Sequence, residues 1–303
     1  MISRFPPSRI LVPMDFSEPS LAALEDAKLL ARRFGASLEL LYVQPAPLPL
    51  TGFPTDSVAA PQLVQQMADF RRWRESQMRK SISDFPSART RVRSLQGWPP
   101  KQIAELAAGH GVDLVVMGTH GYGGMDRALF GSVAEAVVGR AKAPVLTTHP
   151  KSSKLKISKI LVPFNMTDYA SKALEVAMQW AHKFGAQMTV LYIAPEGFPE
   201  NIARDVVGQR LRPLLGRHPE RRFMLRWGEP REQILETAAR GGFDLIVLSA
   251  HRKPLLGDWV LGSTAERVLR HSPVPVLSVP SVAAKKTRRE EALPWIANKL
   301  YSP

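Results

Sequence analysis

Short runs of consecutive apolar residues alternate along this chain with stretches whose apolar residues recur every three or four positions, the mark of buried strands alternating with amphipathic helices. Ile10 to Val12 is the first run. After it, Leu21, Leu24, Ala27, Leu30 and Phe34 share one face of a helix that Ser17 or Ser20 can cap and Gly35 can end. Further strands are expected over Leu38 to Val43, Arg89 to Leu95, Leu114 to Met117 and Pro144 to Thr147, with helices over Gln102 to Ala108 and Ser132 to Ala141. Arg89 to Leu95 alternates basic with smaller residues, as an edge strand partly facing water does. Five strands separated by helices predict an α/β fold with a doubly wound, five-stranded parallel sheet.

The pattern occurs twice. Arg9-Ile-Leu-Val-Pro-Met-Asp15 matches Lys159-Ile-Leu-Val-Pro-Phe-Asn165, and Arg33-Phe-Gly-Ala36 matches Lys183-Phe-Gly-Ala186, both at an offset of 150. Gly97-Trp-Pro99 then matches Gly228-Glu-Pro230, Asp113 matches Asp244, and Gly131-Ser132 matches Gly262-Ser263, at an offset of 131. The first copy therefore carries 19 more residues, around the proline-rich stretch Gln44 to Gln62, which predicts an irregular loop. Such a loop is a surface excursion, a lid or a partner surface. Two domains follow, 1–150 and 151–282, joined through the lysine-rich stretch Pro150 to Ser158 and followed by a basic tail, 283–303. The last strands, Pro144 to Thr147 and Pro273 to Val279, are candidate dimer edges, so the halves are expected to pair within the chain as a pseudo-twofold pair, with a further homodimer left open.

Composition narrows the function classes. The chain has 303 residues, 45% apolar and 22% charged, which suits a globular protein with two cores. Zero cysteines exclude disulfides, zinc-thiolate sites and cysteine nucleophiles and fit a reducing cytoplasm. No run approaches the roughly 18 apolar residues of a membrane span, and Pro6-Pro7 interrupts the start, so a cytoplasmic protein without membrane insertion is expected. The net charge of +14 raises a nucleic-acid reading. Residues 1 to 150, however, hold 17 Lys and Arg against 13 Asp and Glu, and residues 151 to 303 hold 24 against 14. The excess lies mostly in the second half and tail. Basic stretches such as Arg71-Arg72-Trp73-Arg74 and Arg89 to Arg93 come without an RNA-binding aromatic signature or zinc finger, so they are expected to be solvated faces and no nucleic acid is expected.

The candidate chemistry lies in Gly118-Thr-His-Gly-Tyr-Gly-Gly-Met-Asp-Arg-Ala-Leu-Phe-Gly-Ser132, a loop with five glycines after a buried strand. Ligands of doubly wound sheets bind beyond the carboxyl ends of strands where the strand order reverses. If the first and fourth strands are neighbours there, Asp15 and the glycine loop face one crevice. Gly118 and Gly121 let a ligand approach the backbone, and Gly131-Ser132 opens a helix whose unpaired amides suit a phosphate. The Asp15 carboxylate can accept hydrogen bonds from ribose hydroxyls or hold Mg2+ shared with phosphates. No Walker loop GxxxxGK[ST] is present, and a dinucleotide fingerprint running Gly121, Gly123 would need glycine where Asp126 stands. The spacing is G-x2-G-x9-G-S.

That spacing, with Ile10-Leu-Val-Pro-Met-Asp15, Gly97-x-Pro99, Asp113-Leu-Val-Val-Met-Gly118 and Ala143-Pro-Val-Leu146, resembles the universal stress protein family across both halves, residues about 9 to 148 and 159 to 280. The resemblance implies Rossmann-like domains and, in the first half, a bound ATP. It implies Pro13 and Asp15 near the ribose, Val43 beside the adenine, Met117 and Gly118 flanking it, and Gly121, Gly131, Ser132 and Val133 around the phosphates. Arg127 is a candidate phosphate contact, and Asp15 a candidate Mg2+ ligand through bound ATP.

In the second copy Asp15 becomes Asn165, Gly118 becomes Ser249 and Gly121 becomes Arg252, while Gly262-Ser263 remain. The second half is therefore not expected to bind ATP in the family manner, the alternative being another anionic ligand held by Arg252. His120 has no adjacent carboxylate, and the other histidines show no paired-ligand spacing, so no catalytic residue is assigned and turnover is expected to be slow ATP hydrolysis at most. An ATP-dependent enzyme of a related family would need a loop such as SGGxDS after the first strand, where Met-Asp-Phe-Ser17 stands. Two function classes remain: an ATP-binding stress sensor or regulator, and a nucleotide-independent scaffold that docks an unknown protein partner through its paired halves and the tail, in which Trp295, Ile296, Leu300 and Tyr301 either pack on the domain or present an apolar face.

Overall fold

The computed structural model describes residues 5–45, 59–109, 111–119, 131–148, 155–216, 221–255 and 258–281, with backbone alone at 59–64, 251–255 and 258–260. The predicted stretch 46–58, the loop 120–130 with His120, Gly121 and Arg127, and the tail 283–303 lie outside the described residues. The chain divides into two compact units, Met1–Lys156 and Ile157–Pro303.

In the first unit the elements run β1 (Arg9–Pro13), α1 (Glu18–Phe34), β2 (Ser37–Gln44), α2 (Ala59–Ser81), β3 (Thr90–Gln96), α3 (Pro99–Gly109), β4 (Leu114–Gly118), α4 (Ser132–Arg140) and β5 (Val145–Thr148). The five strands are parallel in the order β3-β2-β1-β4-β5. Ile10, Leu11 and Val12 are fully buried, as expected of a strand covered on both faces. α1 starts where the Ser17 hydroxyl accepts from the Ser20 amide and stops at Gly35 in the left-handed conformation, so Ser17 is the cap. The added residues of this copy are only partly loop: helix α2 begins at Ala59, inside the stretch expected to be irregular. Pro61 does not prevent this, because a proline in the first helical turn lacks an amide that would be unpaired anyway.

The second unit repeats the plan with β6 (Lys159–Pro163), α5 (Asp168–Phe184), β7 (Gln187–Ala194), α6 (Glu200–Leu215), β8 (Arg221–Trp227), α7 (Pro230–Arg240), β9 (Leu245–Leu255), β10 (Asp258–Leu261), α8 (Ser263–His271) and β11 (Val276–Ser281). Its parallel strands run β8-β7-β6-β9-β11, and β10 pairs antiparallel with the end of β9. A hairpin thus stands in the second copy at the place of the glycine-rich stretch of the first. Leu255 faces Asp258, Pro254 faces Trp259, Lys253 faces Val260 and Arg252 faces Leu261 across it.

The repeated aspartate is a tether. Asp113 Oδ2 accepts from the Ser8 amide (2.7 Å), the Ser8 hydroxyl (2.6 Å) and the Arg9 amide (3.1 Å), fixing the start of β1 beside β4. Asp244 Oδ2 does the same for Ser158 and Lys159 at 2.8 and 2.9 Å.

Candidate functional site

The first and fourth strands of each unit are neighbours only at their amino ends. Between β1 and β4 the paired residues are Ile10 with Leu114 and Leu11 with Val115, and between β6 and β9 Ile160 with Leu245 and Leu161 with Ile246. Beyond those pairs the strands part, and a crevice opens at their carboxyl ends where the strand order reverses.

Pro13 ends β1, buried, and the Met14 amide donates to the Leu41 carbonyl at 2.8 Å, laying the following turn along β2 near Val43. In that turn Asp15 Oδ1 accepts from the Ser17 amide (3.0 Å) and hydroxyl (2.5 Å), which leaves Oδ2 for other partners. Between them Phe16 sits at φ 67°, a left-handed conformation that is costly for an aromatic residue. The second unit builds the same turn: Asn165 Oδ1 accepts from the Thr167 amide (3.4 Å) and hydroxyl (2.7 Å), and Met166 sits at φ 63°. A strained residue kept at this position in both copies marks the turn as special, and no sequence signal announces it.

Met117 and Gly118 end β4. The chain returns at Gly131, whose amide donates to the Thr119 carbonyl at 2.6 Å, so the start of α4 lies against the end of β4. No side chain caps α4, so the first-turn amides of Ser132 and Val133 have no partner within the helix. Pro13, Asp15, Val43, Met117, Gly118, Gly131, Ser132 and Val133 are therefore held at the same end of the sheet, while Gly121 and Arg127 fall in the loop outside the described residues.

Gly118 has a packing reason of its own. A Cβ there would lie 2.7 Å from the Pro19 Cβ and 2.8 Å from the Pro19 backbone, so β4 and the start of α1 touch through this glycine. The arginine-rich stretch of α2 is likewise more than a solvated face. The Arg74 guanidinium lies 4.7 Å from the Phe16 ring centre and 5.2 Å from that of Tyr42, with Phe70 and Trp73 each at 4.9 Å. Arg74 thereby braces the strained turn from α2, a contact between distant segments that no local pattern reveals.

The second unit shows the crevice as a cavity of about 300 Å3. Pro163, Asn165, Ile193, Leu248, Ser249, Gly262, Ser263 and Thr264 line it, and these are the counterparts of Pro13, Asp15, Val43, Met117, Gly118, Gly131, Ser132 and Val133. The counterparts of positions that the family resemblance implies in one copy thus surround a single space in the other. Among the described residues, no group of three or more His, Cys, Asp or Glu side chains could hold a metal ion by itself, and no helix is long and apolar enough to cross a membrane. A magnesium ion would fit here only as a partner of bound phosphates, with Asp15 Oδ2 the carboxylate oxygen left to meet it.

The profile of the Universal stress protein family matches residues 7–149 and again 156–280. A universal stress protein of Methanocaldococcus jannaschii is 32% identical over 138 residues, 46% of this chain and 79% of that protein, and one of Thermus aquaticus is 29% identical over 133 residues, 40% and 96%. The crystal structure of a universal stress protein from Archaeoglobus fulgidus superposes with a TM-score of 0.69 at 22% identity, over 90% of this chain and 98% of that one. A putative universal stress protein from Pseudomonas aeruginosa gives 0.61 at 20% identity, over 91% and 94%. Both likenesses show the fold, and the two profile matches cover most of the sequence: the chain belongs to the universal stress protein family and carries two of its domains in tandem.

Proposed function

We propose that this protein is an adenine-nucleotide-binding regulator or sensor of the stress response, with one ATP site in its first unit and little or no turnover. The carrying observation is the shared cavity of the repeat: the counterparts of the residues that resemble an ATP site enclose a single space at the crevice of the second unit. In the first unit the same frame carries an anionic Asp15 and a glycine-rich approach to α4. The free Asp15 oxygen suits ribose hydroxyls or a magnesium ion held with the phosphates, and the uncapped α4 amides with the Ser132 hydroxyl suit the phosphates themselves. Gly121 and Arg127 are assigned to the phosphates on the family pattern alone.

Calorimetric titration of nucleotide-stripped protein with ATP and magnesium tests this reading, beside Gly121→Arg, which copies Arg252 of the second unit into the first. We expect one strong site per chain and a loss of at least tenfold in affinity in the variant. Gly118→Arg is unsuitable, since the contact with Pro19 would break packing and binding together. Absence of ATP binding to the unaltered chain would overturn the proposal and favour a nucleotide-independent scaffold.

A further inference from the structure

We infer that the crevice of the second unit is a ligand site of different specificity, taking a small molecule with an apolar ring body and one anionic group rather than a magnesium triphosphate. The inference stands on the cavity of that unit and does not require ATP in the first. Phe164, Ile193, Ile234 and Leu248 supply apolar walls, and no described lining residue carries a charge. At about 300 Å3 the space lies at the small end of ligand pockets.

Three features narrow the ligand. Asn165 Oδ1 is taken by Thr167, whose amide can only donate, so the side-chain amide is oriented and its Nδ2 presents a donor where Asp15 presents an acceptor. The ligand must offer an acceptor at that point, the reverse of a ribose hydroxyl donating to a carboxylate. At the other end Gly262 opens α8 with φ −62° and ψ 141°, a conformation any residue adopts, and a Cβ there would meet nothing within 4 Å. Neither backbone strain nor packing within the unit requires this glycine. It leaves open the approach to the α8 amides, which no side chain caps, with Ser263 and Thr264 hydroxyls beside them. Finally, the backbone that would wrap a polyphosphate takes another form: residues 252–255 pair with 258–261 in the β9–β10 ladder, an extended antiparallel hairpin in which alternate pairs bond across, and not a loop that curls successive amides around an anion. One anionic group can be held; a chain of three has no cradle.

The test uses the full-length chain, with AMP, adenosine and magnesium ATP as probes, alongside Gly262→Leu, whose Cβ meets nothing within 4 Å and whose φ suits any residue. Gly262→Leu should lower the number of AMP sites by one per chain and leave the ATP sites and the unfolding midpoint unchanged. Asn165→Asp keeps the Oδ1 acceptor but replaces the Nδ2 donor with a second acceptor, and should weaken that AMP site at least tenfold; it carries the test by itself if the leucine variant fails to fold. Adenosine should bind the same site at least tenfold more weakly than AMP. The inference is overturned if AMP finds no site that these variants remove or weaken, or if magnesium ATP loses a site together with AMP.

Discussion

The two crevices of this chain share a frame and differ in what the frame presents. Each has a turn made by an Asx oxygen at residue 15 or 165, a left-handed non-glycine residue after it, and a glycine-led helix without a side-chain cap. On that frame the first unit places a carboxylate and a glycine-rich segment, and the second places a carboxamide and a hairpin. The turn requires only the one oxygen common to Asp and Asn. The second oxygen, or the nitrogen that replaces it, is therefore free to define what binds without disturbing the fold, which is how a duplicated domain can change ligand while remaining the same domain.

The sharpest structural difference lies at Gly118 and Ser249. In the first unit a side chain at this position meets the Pro19 backbone, whereas in the second Tyr169 replaces that proline and the Ser249 hydroxyl reaches Ser281 at 3.1 Å. Gly118→Ser should therefore destabilise the first unit by about 3 kcal/mol, the upper end for overpacking, because backbone cannot move aside as a side-chain tip can. Ser249→Gly should cost only about 1 kcal/mol, from glycine in a strand and the lost hydroxyl hydrogen bond to Ser281. Urea unfolding of both variants checks this; equal losses would show that the two sites are packed alike.

A buried charge separates the units next. Asp26 in α1 is 5% exposed and its carboxyl is pushed up to about 6, mainly by burial, against a hydrogen bond from the Leu155 amide that holds it down. The corresponding residue of α5 is Val176. Because the folded value lies above the unfolded one, the native state binds the extra proton between about pH 4 and 6, and stability falls as pH rises through that window. Asp26→Asn retains an acceptor for the Leu155 amide without the charge, so it should raise stability by about 1–2 kcal/mol at pH 7.5 and leave it nearly unchanged at pH 4. Unfolding midpoints at the two pH values measure the difference. A variant less stable at pH 7.5 would mean that the ionised carboxylate is needed by its hydrogen-bond donors.

Much of this was legible in the sequence because the relevant signals are local. Three-fold and four-fold apolar spacing located α1 and α3, unbroken runs located β1, β2 and β4, and Ser17 with Gly35 bounded α1. The repeat offsets pointed to Asn165, Ser249, Gly262 and Ser263, which line the crevice of the second unit. What escaped detection depends on partners far apart in the chain. Gly118 reads as an open approach to a ligand until Pro19 is placed against it, and Arg74 reads as a surface charge until α2 brings it over Phe16. The β9–β10 hairpin escaped for another reason: its residues align with the glycine loop of the first copy, whereas the replacement of that loop's early glycines by Ser249 and Arg252 removes the residues that favour irregular backbone, and Val260 suits a strand.

The finest distinction is the exchange of Asp15 with Asn165. Since either side chain supplies the Oδ1 that accepts from the residue two positions on, Asp15→Asn and Asn165→Asp should each alter unfolding free energy by less than about 0.5 kcal/mol, the range of substitutions that keep their contacts. Ser17→Ala supplies the contrast, because it removes both the hydroxyl that donates to Asp15 and the oxygen that caps α1, and should cost about 1 kcal/mol. Binding should respond in the opposite order: Asp15→Asn, neutral for folding, should weaken ATP by tenfold or more through the lost acceptor. If Asp15→Asn proved as destabilising as Ser17→Ala while ATP affinity held, the carboxylate would belong to the fold of the first unit, and the two crevices would differ in their loops alone.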